Sequence, residues 1–433
     1  MSTLTGVISV LSQEEMQSVH DGALEILERA GLWIDHEGAV DYLDAAGCRV
    51  DREQKRVWLP RKLVQKAVDT MRTSFELEPS RGNREPMSFG SQNMYFATMP
   101  RVVHHDFRIN CGAFPPNVLD LDGNRRYATL QDVRDSIRLA DALEHIDFVG
   151  PPCSAQEIPH ELRPVTVTAE LVKNTSKPGG IELWDTTQIE YISQIAAVVR
   201  GGEEELKKRP LLVGYCGIRS PLCLDRNMAD IFIDNIKRGF PQWLYSMPCA
   251  GTTAPATMLG VLTQGIAESL VGLVLGYAID PEATVSIEVI CGMADMKSAS
   301  FPYSGPDVIL MAAATNQMVA DFYKRPGGAH GGRTDACLSG VQAGIEKGLS
   351  MLFPLMVGAV GVGTLGQIEK NMTFSFRQLV IDDEIVRYIK HILRGVRGEP
   401  DRRAVDIIVE VGPGGHFTDH EHTVAHFREE FWF

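Results

Sequence analysis

The chain has 433 residues, a formal net charge of −14 and an apolar content of 44%. This size and composition are typical of a folded protein with a sizeable core, and they exclude a short disulfide-stapled module and a disordered chain. The acidic balance repels nucleic acid and anionic lipid, so we expect neither as a partner. The eight cysteines form no CxxC pair and no secretory signal opens the sequence, which predicts a cytoplasmic protein with reduced thiols.

The first 90 residues predict a helical segment in front of the main domain. Ser12 and Glu15 have the spacing of a capping box, and apolar residues then follow at helical spacing as far as Gly31. Pro60 stands at the first turn of another helix. We therefore expect residues 1–90 to form an N-terminal helical cap.

From about Asn93, short apolar runs alternate with helical patterns. The predicted strands are 94–97, 146–150, 180–183, 211–215, 243–247, 285–289, 325–329 and 355–360. The predicted helices are 130–143, 165–173, 189–199, 229–237, 256–278, 308–320, 341–352 and 379–393. This alternation favours an α/β fold, a (β/α)8 TIM barrel over residues 91–395, with a C-terminal helical extension over 396–433. A doubly wound open sheet is the alternative, although it seldom needs eight successive units.

The predicted helix around residues 255–277 is apolar on nearly all sides. It is therefore expected to be buried against neighbouring helices or at a subunit contact, and we expect a homo-oligomer. The most apolar stretches, 269–279 and 351–365, are too short or too interrupted by Gly and Pro to span a bilayer, so no membrane association is predicted.

In a TIM barrel the active site lies at the C-terminal ends of the strands. Several of the predicted ends carry large aromatic residues, and rings around one pocket suit a quaternary ammonium, which cannot donate a hydrogen bond. The best cage candidates are Tyr95, Trp184 and Tyr245, with Tyr215 beside them. Aromatic residues on strands can equally be core filler. Glu288 and Thr364 also stand at predicted strand ends.

The segment PGGAHGGRTDA, residues 326–336, surrounds His330 with four glycines and precedes a helix. Glycines allow the backbone to approach a ligand, and amide groups at a helix N-terminus favour an anion. His330 and Arg333 could complete a site for a carboxylate. The alternative is a flexible loop between a strand and a helix.

Two sets of residues raise the possibility of zinc. The C-terminal segment carries His416, His420, His422 and His426, but without thiolates or a recognised ligand spacing. Cysteines also stand near strand ends, at positions 153, 216, 249 and 291, although scattered buried cysteines are commoner than metal sites. We predict no metal site and no tightly bound cofactor.

The sequence resembles the trimethylamine methyltransferase (MttB) superfamily over nearly its whole length. The matching stretches begin at residues 11, 125, 174, 251, 294, 378 and 410, and include LSQEEMQSVHDGALEILERAG, NTSKPGG, GTTAPATMLGVLTQGIAESLVG and EVGPGGHFTDHEHTVAHFR. The resemblance implies a (β/α)8 enzyme that moves a methyl group from an amine to the Co(I) of a cobamide carried by a separate corrinoid protein.

The chain contains no pyrrolysine, so it is similar to the non-pyrrolysine branch, which is associated with quaternary amines such as glycine betaine. That resemblance implies that the protein positions its substrate and needs no acid or base, with His330 and Arg333 binding the carboxylate. Family members usually continue some tens of residues past a motif like AHFREEFW, whereas this chain stops at Phe433. The sequence leaves open whether the chain is complete.

Two other functions are compatible with the sequence. One is a zinc-dependent barrel methyltransferase or hydrolase that uses the thiols and histidines at the strand ends. The other is a non-catalytic protein that binds quaternary amines. The sequence does not choose between glycine betaine, proline betaine, carnitine and butyrobetaine, which differ in size and reach.

Overall fold

The computed structural model describes residues 8–79, 86–89, 107–181, 183–298, 300–325, 328–396, 398 and 400–432. Eight short parallel strands form the centre of the fold. We number them β1 to β8 in chain order: Arg108–Cys111, Phe148–Val149, Gly179–Gly180, Leu212–Ile218, Gln242–Ser246, Val285–Val289, Gly328–Ala329 and Gly361–Leu365.

The pairing of these strands closes a barrel. β3, β4, β5 and β6 form one parallel sheet in that order, and β7, β8, β1 and β2 form another. The amide of Val149 donates to the carbonyl of Pro178 at 2.9 Å, which joins β2 to the start of β3. Because the last strand, β8, pairs with the first, the fold is a (β/α)8 barrel and the open-sheet alternative is wrong.

A helix follows each strand and covers the outside of the barrel. We number these helices α1 to α8: Leu130–Ala142, Arg163–Asn174, Thr186–Arg200, Arg226–Lys237, Met258–Ile279, Pro306–Gln317, Val341–Met356 and Phe376–Leu393. Capping residues fix where several of these helices begin. Thr129 and Asp132 form a capping box at α1, and Asp185 and Gln188 form one at α3. A short helix, Glu203–Lys208, follows α3, and a π-helical turn, Met318–Phe322, extends α6.

Two of the predicted strands do not coincide with any described strand of the structure. The predicted strand 94–97 lies outside the described residues, and the first barrel strand is Arg108–Cys111. The prediction of a strand at 355–360 was wrong, because α7 continues through Pro354 to Met356 and β8 begins at Gly361. The apolar residues continue without interruption across the end of the helix, so their spacing does not show where the helix ends and the strand begins. Gly358, with φ +95°, makes the turn between helix and strand.

α5 is the most apolar helix among the described residues. It has 22 residues and is long and apolar enough to cross a membrane, but 78% of its most apolar window is buried inside the protein. Part of its cover is the N-terminal helix Gln13–Arg29: a Cβ built at Gly22 would lie 2.9 Å from the Cγ2 of Thr263 on α5. α5 is therefore a packed core helix, as its composition predicted.

The N-terminal segment contains strands as well as the predicted helices. Its helices are Gln13–Arg29, Glu37–Ala45 and Arg61–Thr70, and its strands are Leu32–Ile34, Arg49–Asp51, Arg56–Trp58, Phe75–Leu77 and Met87–Phe89. The strand Leu32–Ile34 pairs in parallel with Cys223–Leu224, which follows β4. This pairing attaches the segment to the barrel.

Short strands also border the C-terminal ends of the barrel strands: Asn117–Leu119, Arg125–Tyr127, Cys249–Ala250, Gly292–Met293, Gln367–Ile368 and Thr373–Ser375. The C-terminal extension contains a 3-10 turn and two helices, Pro400–Arg403, Val405–Val411 and Glu421–Glu430, whose described side chains are not buried. Trp432 attaches the extension to α8, since the guanidinium of Arg387 lies 4.4 Å from its ring centroid.

Candidate functional site

A cavity of about 90 Å³ lies inside the barrel. This volume is well below the roughly 300–1,000 Å³ of pockets for drug-sized ligands, so the cavity suits a small molecule. The cavity is lined by Arg108, Ile109, Asn110, Phe148, Tyr215, Trp243, Ile287, Glu288, His330, Gly361, Val362, Gly363 and Thr364.

Aromatic side chains form one wall of this cavity. Tyr215 on β4 and Trp243 on β5 face each other in register, with ring centroids 5.2 Å apart, and the ring of Phe148 lies 6.1 Å from that of Trp243. Gly180 on β3 makes room for this wall, because a Cβ built there would lie 2.5 Å from the ring of Tyr215. The aromatic packing therefore requires Gly180, whereas Gly179 makes room for the backbone of Val149, 2.2 Å from a Cβ built there.

Two positions further along the strands, Tyr245 lies in register between Gly217 and Glu288. A Cβ at Gly217 would lie 3.0 Å from the ring of Tyr245, so this glycine also leaves space for an aromatic side chain. Burial raises the pKa of Tyr245 to about 12, and it raises the pKa of Tyr215 as well. Both phenols are therefore protonated at neutral pH.

Glu288 and His330 meet at the ends of β6 and β7. Nε2 of His330 lies 2.8 Å from Oε1 of Glu288. Burial opposes ionisation of Glu288, but His330 and Arg333 outweigh it and lower the pKa of the carboxyl. Burial and the positive charge of Arg333 together lower the pKa of His330, despite the carboxylate beside it. At neutral pH the pair is a carboxylate next to a neutral imidazole.

Arg333 follows β7 and is 7% exposed. Its Nε donates to Oγ1 of Thr364 at 3.3 Å, and its guanidinium carbon lies 4.8 Å from the ring centroid of Tyr303. The hydroxyl of Ser304 donates to the carbonyl of Arg333 at 2.6 Å, which ties the loop after β6 to the loop after β7. Arginine stays charged in such a place, so the site contains a fixed cation.

Thr364 has a strained backbone. Its φ is +77°, which a β-branched residue rarely adopts, at a cost of roughly 1–3 kcal/mol. Its amide donates to Oδ1 of Asn110 at 2.7 Å, and its hydroxyl donates to the carbonyl of Gly331 at 3.2 Å. Gly363 leaves space for Asn110, because a Cβ there would lie 2.1 Å from Oδ1. These contacts hold Thr364 beside Arg333.

Of the six predicted site residues, Tyr215 and His330 line the cavity, whereas Tyr245 and Arg333 do not line it but lie near Glu288, which does. Tyr95 lies outside the described residues. Trp184 is 39% exposed, is not among the residues that line the cavity, and has its ring 5.8 Å from that of His160. The structure therefore places Trp184 at the surface near the end of β3, because the chain turns outward into α3 directly after it.

The sequence pattern put Glu288 and Thr364 at strand ends without giving them a role, and it did not indicate the lining residues Trp243 and Asn110, or Tyr303 beside Arg333. Glu288 had a usable signal, since it is the one charged residue in the buried strand Val285–Val289. Tyr303 had none, because it lies on an irregular loop whose path depends on tertiary contacts.

The thiols and histidines do not form a metal site in the described part of the chain. No group of three His, Cys, Asp or Glu side chains there could hold a metal ion. Cys216, Cys249 and Cys291 are buried, and burial raises the pKa of Cys291 to about 12. A thiol with such a pKa is a poor source of the thiolate that zinc requires.

The site can bind a ligand that carries both charges. The Glu288 carboxylate and the ring of Tyr245 offer favourable surroundings to a cation, and Arg333 offers a charged donor to a carboxylate. Glu288 lines the cavity, and Tyr245 and Arg333 lie near Glu288, so groups of opposite charge stand at one end of a small cavity.

Comparison with known proteins gives the family. The family described as trimethylamine methyltransferase (MTTB) matches residues 2–433. The chain is 30% identical over 382 residues to the glycine betaine methyltransferase of Desulfitobacterium hafniense (strain Y51), a match covering 88% of this chain and 77% of that protein. It is 32% identical to the trimethylamine methyltransferase MttB2 of Methanosarcina mazei, over 66% of this chain and 58% of that protein.

Solved structures support the same architecture. The fold is similar to that of the monomethylamine methyltransferase (MtmB) of Methanosarcina barkeri, with a TM-score of 0.57 and 10% identity over 92% of this chain and 77% of that one. The structure of a hydroxylamine complex of MtmB gives a TM-score of 0.58 with 10% identity, over 90% of this chain and 76% of that one. At this identity the likeness concerns the fold. The family match over residues 2–433 shows that the chain belongs to the trimethylamine methyltransferase family of methyltransferases.

Proposed function

We propose that the protein transfers a methyl group from a quaternary amine that bears a carboxylate, glycine betaine first among candidates, to the Co(I) of a separate corrinoid protein. The observation that carries the proposal is the opposite charge of Glu288 and Arg333 beside the ring of Tyr245 at one end of the barrel. The relative named glycine betaine methyltransferase supports the same substrate.

In the proposed complex, the trimethylammonium group lies against Tyr245, with Glu288 as its counter-charge. The substrate carboxylate lies toward Arg333, one methylene away. His330 is neutral because its pKa is lowered, and it keeps the Glu288 carboxylate oriented instead of competing with the substrate as a cation. The aromatic wall of Tyr215 and Trp243 closes the inner side of the cavity.

A quaternary ammonium already contains a neutral amine as its leaving group. When the electron pair of Co(I) forms a bond to the methyl carbon, the C–N bond breaks and its electrons stay on nitrogen, so no proton is transferred. The protein's residues therefore bind, orient and exclude water, and orientation supplies much of the rate. The products are methyl-Co(III) and a dimethylamino acid.

The corrinoid is a co-substrate that a partner protein brings to the C-terminal face of the barrel. Exposed apolar side chains on the loops of this face support a docking surface there. They include Leu162, Trp184, Met296 and Leu338, which are 59%, 39%, 81% and 62% exposed. We therefore assign Trp184 to the docking surface for the corrinoid protein and not to the aromatic cage around the ammonium group.

The decisive experiment is a substrate screen with a reduced corrinoid protein, read as methyl-Co(III) absorbance. Glycine betaine is expected to react, whereas tetramethylammonium, which lacks the carboxylate, is expected to react far more slowly. Equal rates for both compounds, or reaction with trimethylamine instead, would refute the carboxylate-bearing substrate.

A non-catalytic amine-binding protein is the second candidate, because the opposite charges of Glu288 and Arg333 would serve binding alone as well as they serve methyl transfer. Calorimetry that shows tight glycine betaine binding, with no methylation of any corrinoid protein tested, would favour it over the enzyme.

We also infer that the protein works in the cytoplasm as a homo-oligomer, with residues 1–90, 91–395 and 396–433 as its three parts. Exposed apolar side chains along one face of α7 support self-association: Val341, Ile345 and Leu349 are 81%, 57% and 52% exposed at helical spacing. Light scattering coupled to size exclusion would measure the oligomeric state.

A further inference from the structure

A fully buried ion pair lies behind the site, between two barrel helices. Nζ of Lys347 on α7 lies 2.7 Å from Oδ2 of Asp382 on α8, and neither side chain is exposed. Neither residue lines the cavity. A buried ion pair is weak support for stability, because desolvation of the two charges offsets their attraction. The hydrogen bonds that Lys347 and Asp382 make to the backbone indicate a role in positioning the chain.

Lys347 holds the loop that carries Arg333. Its Nζ donates to the carbonyl of Gly332 at 2.6 Å, while the amide of Gly332 donates to Oγ of Ser350 at 3.0 Å. Both backbone polar groups of the residue before Arg333 are thus bound by side chains of α7. Gly332 has φ +74°, a conformation that favours glycine, so the chain is fixed in a specific turn at this point.

Asp382 holds the chain directly after β8, the strand that carries Thr364. Its Oδ2 accepts from the amide of Gly366 at 2.7 Å, and its Oδ1 accepts from Nε2 of Gln378 at 2.8 Å. Gly366 is two residues past Thr364, whose hydroxyl accepts from Nε of Arg333. The ion pair therefore joins the loop after β7 to the end of β8, as the contact between Arg333 and Thr364 does on the cavity side.

We propose that Lys347 and Asp382 are positioning residues that set the place of the Arg333 guanidinium, and so select for the carboxylate of the substrate. This inference rests on the proposed function, in which Arg333 binds that carboxylate. The two residues touch no substrate. They act by fixing Gly332 and Gly366, one on each side of the contact between Arg333 and Thr364.

The test compares Lys347→Met with a matched control, Arg325→Met. Arg325 is also a fully buried cation, and its guanidinium donates to the carbonyls of Arg72 and Val68 at 3.0 Å, beside the N-terminal segment. Binding of glycine betaine and of tetramethylammonium is measured by calorimetry. Lys347→Met should raise the Kd for glycine betaine about tenfold, because a displaced guanidinium loses part of its charge-assisted hydrogen bonding to the substrate carboxylate. The Kd for tetramethylammonium should change less than about twofold.

Arg325→Met should leave both affinities unchanged, even where it lowers the melting temperature. In an Arg333→Gln background, Lys347→Met should cause no further loss of glycine betaine affinity, because the group that it positions is gone. Equal losses for both ligands, an equal effect of Arg325→Met, or full additivity with Arg333→Gln would overturn the inference.

Hydrogen exchange of the ligand-free protein separates this inference from the proposed function. Peptides covering residues 330–336 and 364–368 should exchange faster in Lys347→Met, and not in Arg325→Met. If the protein bound no amine but this local effect appeared, the proposed function alone would fail. If exchange stayed unchanged in both peptides, the positioning role would be wrong. Lys347→Arg, which keeps the charge but moves the donors, gives the same readouts should Lys347→Met not fold.

Discussion

Nε2 of His330 lies 2.8 Å from Oε1 of Glu288, across the ends of two successive barrel strands. The low pKa of both groups makes this a neutral imidazole against a carboxylate at neutral pH. The negative charge at this end of the cavity is therefore available to a cationic ligand.

Glu288→Gln should raise the Kd for glycine betaine by about tenfold, because an amide of the same size removes the counter-charge of the ammonium group. A tenfold change in Kd corresponds to about 1.4 kcal/mol of lost charge attraction. Calorimetry with glycine betaine and with tetramethylammonium measures the effect, which should appear with both. An unchanged affinity for either cation would mean that the ammonium group binds elsewhere.

Acid should destabilise the folded protein through His330. Burial, with the charge of Arg333, lowers the pKa of this group in the folded state below its ordinary value of 6.5. Between these two pKa values the unfolded chain binds more protons than the folded one, so the free energy of unfolding falls as pH decreases. Glu288 titrates below 4.5 and does not contribute in this window.

Urea unfolding from about pH 7 to about pH 5.5 measures this dependence. His20 is also buried with a lowered pKa, so the contribution of His330 is the difference between the natural chain and His330→Gln. His330→Gln should flatten the decrease. Identical pH profiles for the two proteins would contradict burial of a neutral imidazole.

Gly217→Ala should displace the ring of Tyr245, since the added methyl would lie 3.0 Å from it. We expect a loss of about 1–3 kcal/mol in the free energy of unfolding and weaker binding of quaternary amines. Gly344→Ala on α7 is the matched control, because a methyl group added there would have no atom within 4 Å. That control should stabilise the helix by roughly 0.5–1 kcal/mol. Equal effects of the two variants would exclude the close approach at Gly217.

Trp184→Ala should weaken the productive encounter with the corrinoid protein but leave glycine betaine affinity unchanged. Its ring lies at the surface and does not line the cavity. The rate of methyl transfer at varied corrinoid protein concentration measures the first effect, and calorimetry measures the second. Tyr191→Ala on the outer face of α3, where the side chain is 57% exposed, serves as the control. Loss of amine affinity in Trp184→Ala would contradict this prediction and would mean that Trp184 contacts the ammonium group.

Much of the barrel could be predicted from the sequence, because short apolar runs alternate with helical patterns, and a side-chain cap marks the start of several helices. The predicted strand at 285–289 coincides with Val285–Val289, whereas the prediction at 355–360 failed within one continuous apolar run. The charged residues of the site were harder to place. Arg333 could be found from its glycine-rich loop, but its neighbours Thr364 and Tyr303 reach it only through the closed barrel, and no local pattern encodes those contacts.

The attachment of the N-terminal helix Gln13–Arg29 to α5 has a consequence for synthesis. The helix leaves the ribosome long before residues 258–279, which cover its apolar face. At about 5–20 residues per second, the roughly 250 intervening residues take on the order of 12–50 s to make. During that interval the apolar face of the helix, which carries Met16, Leu24 and Leu27, lacks the cover of α5, so we expect chaperones that bind apolar segments of nascent chains to recognise it.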